Sequence, residues 1–444
     1  MEAVERLPAI EAAILDRAPE HDIDPTLDRI AELMDLLGSP QGAVPVIHIG
    51  GTNGKTSTTR MVERLLRGFG LRTGRFTSPH LHTMRERISI DGEPVDPGQF
   101  VAAYDDVAPY ADLVDARHGI RLSFFELLTA MAFSTFAETP VDVAVVEVGL
   151  GGRWDSTNVA DGQVTVVTPI ALDHERWLGG TVEEIAREKA GIFKPDSIAV
   201  LARQSVAAGE ILLHRAIEVG ATVAREGVEF GVLDRQIAVG GQVVNLRGLG
   251  GEYDEVLLPL HGEHQAQNAA CALAAVEAFL GGGSEQLDLD VVRSSFADVT
   301  SPGRLEVVRR SPTIIFDAAH NPAGAQATAA ALREAFDFRR LVGVIGVLGD
   351  KDVHGILSAF EPVLAEVVVT QPSSPRALPV DELAAAAVEV FGADRVEVSR
   401  RLDNAIDAAV ALAESEGDLG GAGVIVTGSI ITVAEARTLL GPNT

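Results

Sequence analysis

The sequence predicts an α/β protein built from two domains. We expect an N-terminal domain with a largely parallel sheet and a small antiparallel β region, and a C-terminal domain with a Rossmann-like, doubly wound sheet. The chain has 444 residues, more than one hydrophobic core usually serves. Its C-terminal part alternates apolar strands with helical segments, and a glycine-rich loop joins the first strand to a helix. The domains are expected at residues 1–299 and 307–444, with a linker at 300–306.

The glycine-rich loop has the layout of a phosphate-binding loop. An apolar run at 44–49 predicts a buried strand, residues 51–57 read GTNGKTS, and apolar residues at helical spacing follow. Backbone N–H groups of such a loop turn onto an anion, and the helix N-terminus adds partial positive charge. Lys55 would reach the outer phosphates and Thr56 would bind Mg²⁺, so the N-terminal domain is predicted to be of the P-loop ATPase type. The alternative is a plain strand-to-helix turn, because Ile49 stands where the common pattern has its first glycine.

The composition excludes several classes of function. The 36 Lys and Arg residues against 64 Asp and Glu residues give a net charge of −28, which would repel nucleic acid. No run of 18 uncharged apolar residues and no secretory signal is visible, so we expect a soluble chain without membrane contact. The single cysteine, Cys271, excludes an intrachain disulfide and suits a reducing cytoplasm. We expect a cytoplasmic monomer whose anionic substrates meet locally placed Arg and Lys side chains.

A second strong signal lies at 141–154, which reads VDVAVVEVGLGGRW. The valine-rich start predicts a strand buried on both faces. Such a strand should not end in a carboxylate without a partner, so Glu147 needs a cation. Either Mg²⁺ or a salt bridge to Arg153 would supply one.

Other polar residues follow predicted elements of the same domain. Residues 75–78 are expected to end a second strand, with Ser78 at its C-terminal edge, and by itself Ser78 reads as a turn serine. His174 follows the strand at 164–168 and Lys189 lies on a helix, where a histidine is usually a satisfied polar residue and a lysine solvated. Residues 226–260 predict antiparallel hairpins with a turn at 240–241, and a helix follows Gly262.

The second domain follows the segment TSPGRLE at 300–306, where Pro302 and Gly303 predict a break. Its first strand leads into DAAHNPAG, which places Asp317 and His320 at a strand end, and Ser429 follows another strand. Strand-end motifs at 349–352 and 373–376 have no role that the residues explain. The predicted strands are 313–317, 341–348, 366–370, 395–399 and 423–428, and the predicted helices are 322–336, 353–360, 380–390, 403–415 and 433–440.

Six motifs together resemble the folylpolyglutamate synthase and dihydrofolate synthase family of the Mur ligase superfamily. They are GTNGKTS, TSPH with RERI, EVGLGGRxDxTN, LDHxxxLG, EKAGI and DAAHNPAG, in this order. The resemblance implies that ATP phosphorylates a pteroate or folate carboxylate and that the amine of L-glutamate displaces the phosphate. It also implies two Mg²⁺ ions as cofactors beside ATP.

The resemblance also implies the site residues. Those for ATP are Thr52, Asn53, Gly54, Lys55, Thr56, Ser57, Asn268, Arg304 and Asp317. Those for one Mg²⁺ are Thr56, Ser78 and Glu147, and those for a second are Glu147, His174 and Lys189 carrying a carbamate. Those for the pteroate or folate are Phe124, Asp155 and Asp24, and those for glutamate are His320 and Ser429. Lys55, Glu147, His174, Lys189, Asp317 and His320 are the expected catalytic residues.

Alternatives stay open for two residues and for the function. Asp24 could be a solvated helix charge, and Phe124 could belong to the core. We expect both dihydropteroate and reduced folates as substrates, because the ATP and glutamate motifs do not distinguish them. A chain-extending enzyme only, another Mur-type ligase, and a nucleotide switch without chemistry are the rivals.

Overall fold

The computed structural model of the chain describes residues 2–19, 24–415 and 421–441, and in these ranges it has three β-sheets. The sequence at 11–37 predicts one or two amphipathic helices broken near Pro25, and this break falls partly outside the described residues, because 20–23 are not among them. The first and third sheets confirm the predicted pair of α/β domains. No helix in these ranges has the length and apolar character needed to cross a membrane.

The first sheet is parallel except at one edge. Its strands are β1 (Val46–Gly50), β2 (Thr73–Phe76), β3 (Ile88–Ile90), β4 (Glu93–Pro94), β5 (Val143–Glu147), β6 (Gly162–Val167), β7 (Ile198–Leu201) and β8 (Thr222–Arg225). The order is β4-β3-β2-β5-β1-β6-β7-β8, and only the pairs β2–β3 and β3–β4 are antiparallel. Strands β1 and β5 lie at the centre, which is why every residue of both is buried.

Helices cover both faces of this sheet. They are α1 (Glu2–Leu15), α2 (Asp28–Leu36), α3 (Lys55–Gly68), α4 (Pro97–His118), α5 (Phe124–Glu138), α6 (Glu175–Leu178), α7 (Val182–Lys189), α8 (Val206–Val219), α9 (Glu263–Gly281) and α10 (Leu289–Ala297). Val143 and Val145 pack with α3 and α9 on one face, and Ala144 and Val146 pack with α4 and α5 on the other. This alternation follows from the two-residue period of a strand.

The predicted antiparallel region is a sheet of three strands. They are β9 (Gly231–Ala238), β10 (Gly241–Arg247) and β11 (Glu252–Leu258), in the order β11-β10-β9. The first turn lies at Val239 and Gly240, one residue before the predicted position at 240–241, because Gly241 already belongs to β10. Val244, Leu246 and Tyr253 join the core beside α9, so this sheet belongs to the N-terminal domain.

The second domain has a sheet of six strands. They are β12 (Glu306–Arg310), β13 (Thr313–Phe316), β14 (Arg340–Ile345), β15 (Glu366–Val369), β16 (Val396–Val398) and β17 (Ala422–Thr427). The order is β12-β13-β17-β14-β15-β16, parallel except for the edge strand β12, which the sequence did not predict. Its helices are α11 (Pro322–Ala335), α12 (Val353–Phe360), α13 (Val380–Phe391), α14 (Leu402–Glu414) and α15 (Ile430–Leu440). The first three pack on one face and the last two on the other, which makes the sheet doubly wound.

Candidate active site

One cavity of about 1290 Å³ is lined by loops from both domains. The loops follow β1, β2, β5 and β6 in the first sheet and β13, β14 and β17 in the second. These are carboxyl ends of strands, where ligands bind in open α/β sheets. Of the site residues named from the sequence, all except Phe124 line this cavity.

The phosphate loop, residues 51–57, comprises the turn that connects β1 to α3 and the first three residues of α3. Gly54 has a φ of 93°, and a Cβ there would lie 2.5 Å from Oδ1 of Asn268. Glycine is therefore required at this position both by the backbone and by the neighbouring amide. Lys55 Nζ donates to the carbonyl oxygens of Gly51 and Thr52, each at 3.2 Å. Burial lowers the pKa of Lys55, while the carboxylates of Glu147 and Asp173 oppose this shift.

Glu147 faces the start of α3 from the end of β5. Its Oε1 accepts a hydrogen bond from the Thr56 hydroxyl at 2.8 Å, and its Oε2 accepts one from the Ser78 N–H at 3.4 Å. The residue is 1% exposed, and burial raises the pKa of its carboxyl group although Lys55 opposes the shift. The alternative salt bridge to Arg153 is wrong, because Arg153 pairs with Glu188 at 3.4 Å.

The surroundings of Glu147 fit a divalent cation. Burial raises the pKa of the Glu147 carboxyl group more than Lys55 lowers it, so a further cation would stabilise the ionised form. The hydroxyl-bearing residues Thr56 and Ser78 flank this carboxyl group. Among the residues described, no group of three or more His, Cys, Asp or Glu side chains could hold a metal. A Mg²⁺ ion here would therefore depend on hydroxyl groups and on substrate phosphate oxygens as well as on Glu147.

Lys189 is buried at the end of α7 and is not solvated as its helical position suggested. Its Nζ donates to the Gly51 carbonyl at 2.7 Å, and the residue is 4% exposed. Burial and the nearby charge of Lys55 lower the pKa of Lys189 to about 7. His174 lies at the start of α6, and burial lowers the pKa of its imidazole to about 3, against the attraction of Asp173. Both side chains are therefore available as neutral groups near pH 7.

The two phenylalanines at the start of α5 have different surroundings. The ring of Phe124 packs in the core below Arg87, whose guanidinium carbon lies 4.9 Å from the ring centroid. Phe125 belongs to the same core cluster and packs against Phe76, but it also lines the cavity. Ser123 caps this helix by accepting the N–H of Glu126, and the Glu126 side chain accepts the Ser123 N–H in return. The cap fixes the backbone of the first turn of α5.

The acidic residues near Phe125 accept hydrogen bonds from other groups of the protein. Asp155 Oδ2 accepts the N–H of Leu150 at 2.8 Å, and its Oδ1 accepts that of Thr157 at 3.0 Å. Asp24 accepts from Arg29 at 2.5 Å, and Arg29 also bonds both oxygens of Glu126. Arg29 was not singled out from the sequence, since an arginine on an amphipathic helix normally reads as solvated.

The second domain contributes the opposite wall of the cavity. Asp317 accepts the N–H of Leu305 at 2.9 Å and the hydroxyl of Thr328 at 2.7 Å. His320 Nδ1 donates to the Ala318 carbonyl at 3.0 Å, which directs its Nε2 toward the first domain. Ser429 caps α15 by accepting the Thr432 N–H at 3.0 Å.

The linker meets the phosphate loop directly. Its residue Ser301 lies 2.9 Å from Ser57, oxygen to oxygen, and Arg304 lines the cavity. The part of the cavity beside the phosphate loop is thus bounded by both domains and by the segment that joins them.

Comparisons with known proteins agree with this architecture. Residues 122–276 match the family described as Mur ligase middle domain, and residues 303–430 match that described as Mur ligase, glutamate ligase domain. The chain is 55% identical to a dihydrofolate synthase/folylpolyglutamate synthase of Mycobacterium tuberculosis, over 97% of this chain and 93% of that protein.

Two solved structures resemble the whole chain. One is M. tuberculosis folylpolyglutamate synthase complexed with ADP, with a TM-score of 0.94 and 55% identity over 99% of both chains. The other is E. coli FolC in complex with DHPP and ADP, with a TM-score of 0.84 and 30% identity over 98% of this chain and 97% of that one.

Proposed function

The chain belongs to the dihydrofolate synthase/folylpolyglutamate synthase family of Mur ligases, ATP-dependent ligases that form C–N bonds, and we propose that it joins L-glutamate to dihydropteroate and to reduced folates. The observation that carries the proposal is the single cavity shared by the phosphate loop and His320 of the second domain. ATP would phosphorylate the substrate carboxylate at the loop. The glutamate amine would then attack the acyl carbon, forming the amide and releasing phosphate.

The nucleotide would bind along the phosphate loop and the N-terminus of α3. The loop N–H groups and Lys55 would meet the phosphates, and the helix dipole would add to their attraction. Asn268, which contacts Gly54, is suited to the adenine side, and Arg304 and Asp317 would meet ATP from the linker and the second domain. The residues assigned to ATP are Thr52, Asn53, Gly54, Lys55, Thr56, Ser57, Asn268, Arg304 and Asp317.

Two Mg²⁺ sites are part of the proposal. Thr56, Ser78 and Glu147 would hold the first ion, and Glu147, His174 and Lys189 the second. When bound, Mg²⁺ would neutralise charge on the phosphate oxygens. The fit of Glu147 to a cation and the neutral imidazole of His174 support both assignments.

The second ion requires Lys189 to carry a carbamate. A neutral lysine amine attacks CO₂ and loses a proton, which converts the side chain into a carboxylate-like oxygen ligand. The buried position of Lys189 and its pKa of about 7 support this modification, because an ordinary solvated lysine is almost fully protonated at neutral pH. Its amine lies beside the phosphate loop and donates a hydrogen bond to the Gly51 carbonyl.

The pteroate or folate would enter beside the start of α5. Phe125, rather than Phe124, offers a ring that faces the cavity, and a flat aromatic face suits a pterin. Asp155 and Asp24 line the same region, the latter with Arg29. Glutamate would be held on the opposite wall by His320 and Ser429.

The domain bounds are proposed as 1–299 and 307–444, with 300–306 as the linker. The contact of Ser301 with Ser57 and the start of β12 at Glu306 support a junction within this range. The linker would thereby connect movement of the second domain to the phosphate loop.

Paired assays with labelled glutamate test the proposal. Purified protein should incorporate label in the presence of ATP and Mg²⁺ with either dihydropteroate or tetrahydrofolate, and release one phosphate for each amide. The Lys55→Ala variant serves as the inactive control. Product from tetrahydrofolate alone would reduce the function to chain extension, and ATP hydrolysis without amide formation would support a nucleotide switch instead.

A further inference from the structure

Three side chains of the second domain contact one carboxylate of the first domain. Asp173 lies in the loop after β6. Its Oδ1 accepts from Lys351 Nζ at 2.5 Å, and its Oδ2 accepts from Asn321 Nδ2 at 3.0 Å. His320 Nε2 lies 3.4 Å from the same Oδ2. The three donors come from the loops after β13 and β14 of the second sheet.

The same cluster reaches the phosphate loop. Asn321 and Asn53 exchange two hydrogen bonds, Asn53 Nδ2 to Asn321 Oδ1 at 3.2 Å and Asn321 Nδ2 to Asn53 Oδ1 at 3.0 Å. His320, the residue next to Asn321, is therefore tied to the phosphate loop and to Asp173 at once. Its distance from an acyl phosphate formed at the loop depends on these contacts.

The charge of Lys351 makes this cluster possible. The side chains of Lys351 and Asp173 are only 5% and 6% exposed, and a buried carboxylate without a cation is strongly unfavourable. In the described ranges, Lys351 is the one lysine or arginine that pairs with Asp173. Burial opposes ionisation of Asp173, but the hydrogen bond from His320 and the positive charges of its neighbours hold its pKa well below the ordinary value.

We propose that Lys351 is a positioning residue, acting through Asp173, for the attack of the glutamate amine, an inference that rests on the function proposed above. It fixes His320 against the phosphate loop, so that the glutamate amine meets the acyl carbon at the distance needed for attack. This gives a role to the motif at 349–352. Lys351 is not among the residues assigned to ATP, so its loss should reduce glutamate use more than nucleotide affinity.

The test uses four variants of the full chain. Lys351→Met removes the charge at similar length, Lys351→Arg keeps it, and Asp173→Asn removes the partner, alone and combined with Lys351→Met. The control is Arg235→Met, which breaks another ion pair between the same domains, Arg235 with Glu334 at 2.5 Å, outside the cavity. That pair is partly exposed and should contribute little.

We expect the kcat/KM for glutamate to fall about 100-fold in Lys351→Met, since a misplacement of about 1 Å has this effect. Lys351→Arg should recover part of the loss, and the double variant should be no worse than Lys351→Met alone. The Kd for ADP, measured by calorimetry, should stay within about twofold of the wild-type value, and Arg235→Met should resemble the wild type. Equal losses in ADP affinity and glutamate use, or additive effects in the double variant, would overturn the proposal.

A structural measurement separates this inference from the proposed function. Crystal structures of the ADP-bound protein should place His320 about 1 Å further from Asn53 in Lys351→Met and in Asp173→Asn than in the wild type or Arg235→Met. This readout needs no ligase activity, so it remains decisive if the wild type fails to add glutamate. An unchanged position of His320 in all variants would mean that Lys351 does not position His320, and Asp173→Asn serves if Lys351→Met does not fold.

Discussion

Replacing Lys189 with alanine should remove most of the ligase activity, because the proposed carbamate supplies an oxygen ligand that an ammonium group cannot. The structure gives the magnitude of the underlying effect. Burial and the charge of Lys55 lower the pKa of Lys189 from 10.5 to about 7. At pH 7 the neutral fraction of its amine would thereby rise from about 0.0003 to about one half, since each pKa unit changes the ratio tenfold.

The sign of the pH dependence follows from the same shift. Only the neutral amine attacks CO₂, so protonation below pH 7 opposes the carbamate. Between pH 8 and pH 6 the neutral fraction falls from about 0.9 to about 0.1. In CO₂-depleted buffer the wild-type activity should therefore decline toward acid pH, and added bicarbonate should restore part of it.

The assay compares Lys189→Ala with a matched lysine five residues further along. Lys194 donates to the Asn158 carbonyl at 3.0 Å, pairs with Asp161 and does not line the cavity. Lys189→Ala should lose about 100-fold or more in kcat, as when an electrostatic group of an active site is removed. It should not respond to bicarbonate and should regain activity with formate, whereas Lys194→Ala should behave as the wild type. Substantial activity of Lys189→Ala, or an unmodified amine in a crystal structure of active enzyme, would refute the reasoning.

Three further substitutions test the rest of the site. Lys55→Ala should abolish turnover without lowering Tm, because its amine bonds only carbonyl groups of the phosphate loop; ATP hydrolysis at the wild-type rate would exclude the loop as the nucleotide site. Arg304→Ala should raise the KM for ATP about tenfold, equivalent to about 1.4 kcal/mol, while Arg309→Ala, outside the cavity, should not; equal values for both would remove Arg304 from the site. Phe125→Ala should raise the KM for dihydropteroate, whereas Phe124→Ala should chiefly lower the free energy of unfolding, by about 3–5 kcal/mol; the reverse pattern in binding assays and denaturant melts would restore Phe124 as the pterin contact.

Several parts of the molecule were predictable because their signals are local. The phosphate loop is a strand, a glycine turn and a helix in immediate succession, and the second domain alternates strands and helices with clear periodicity. Each parallel strand of that domain was expected within two or three residues of its bounds. Edge strand β12 was missed because its pattern is short and half exposed, with polar residues at most positions.

The residues that meet across the cavity could be named from the sequence, but their contacts could not be derived. Thr56 and Glu147 are 91 positions apart, and Asp173 and Lys351 are 178 apart. Their approach depends on strand order and on the relative position of two domains, and no local pattern encodes either. The choice between Phe124 and Phe125 likewise depended on how α5 packs in the domain, which places only Phe125 at the cavity.

The sequence by itself thus determined the fold class, the phosphate loop and the polar residues at the strand ends, because strand and helix periods and turn chemistry act over a few neighbours. Only the tertiary structure decided the protonation states of Lys189 and His174. Lys189 and His174 lie in ordinary helical and loop sequences, and it is burial that lowers the pKa of each. Burial is a property of the assembled domains, since desolvation comes from every segment packed around a group rather than from the residues beside it in the chain.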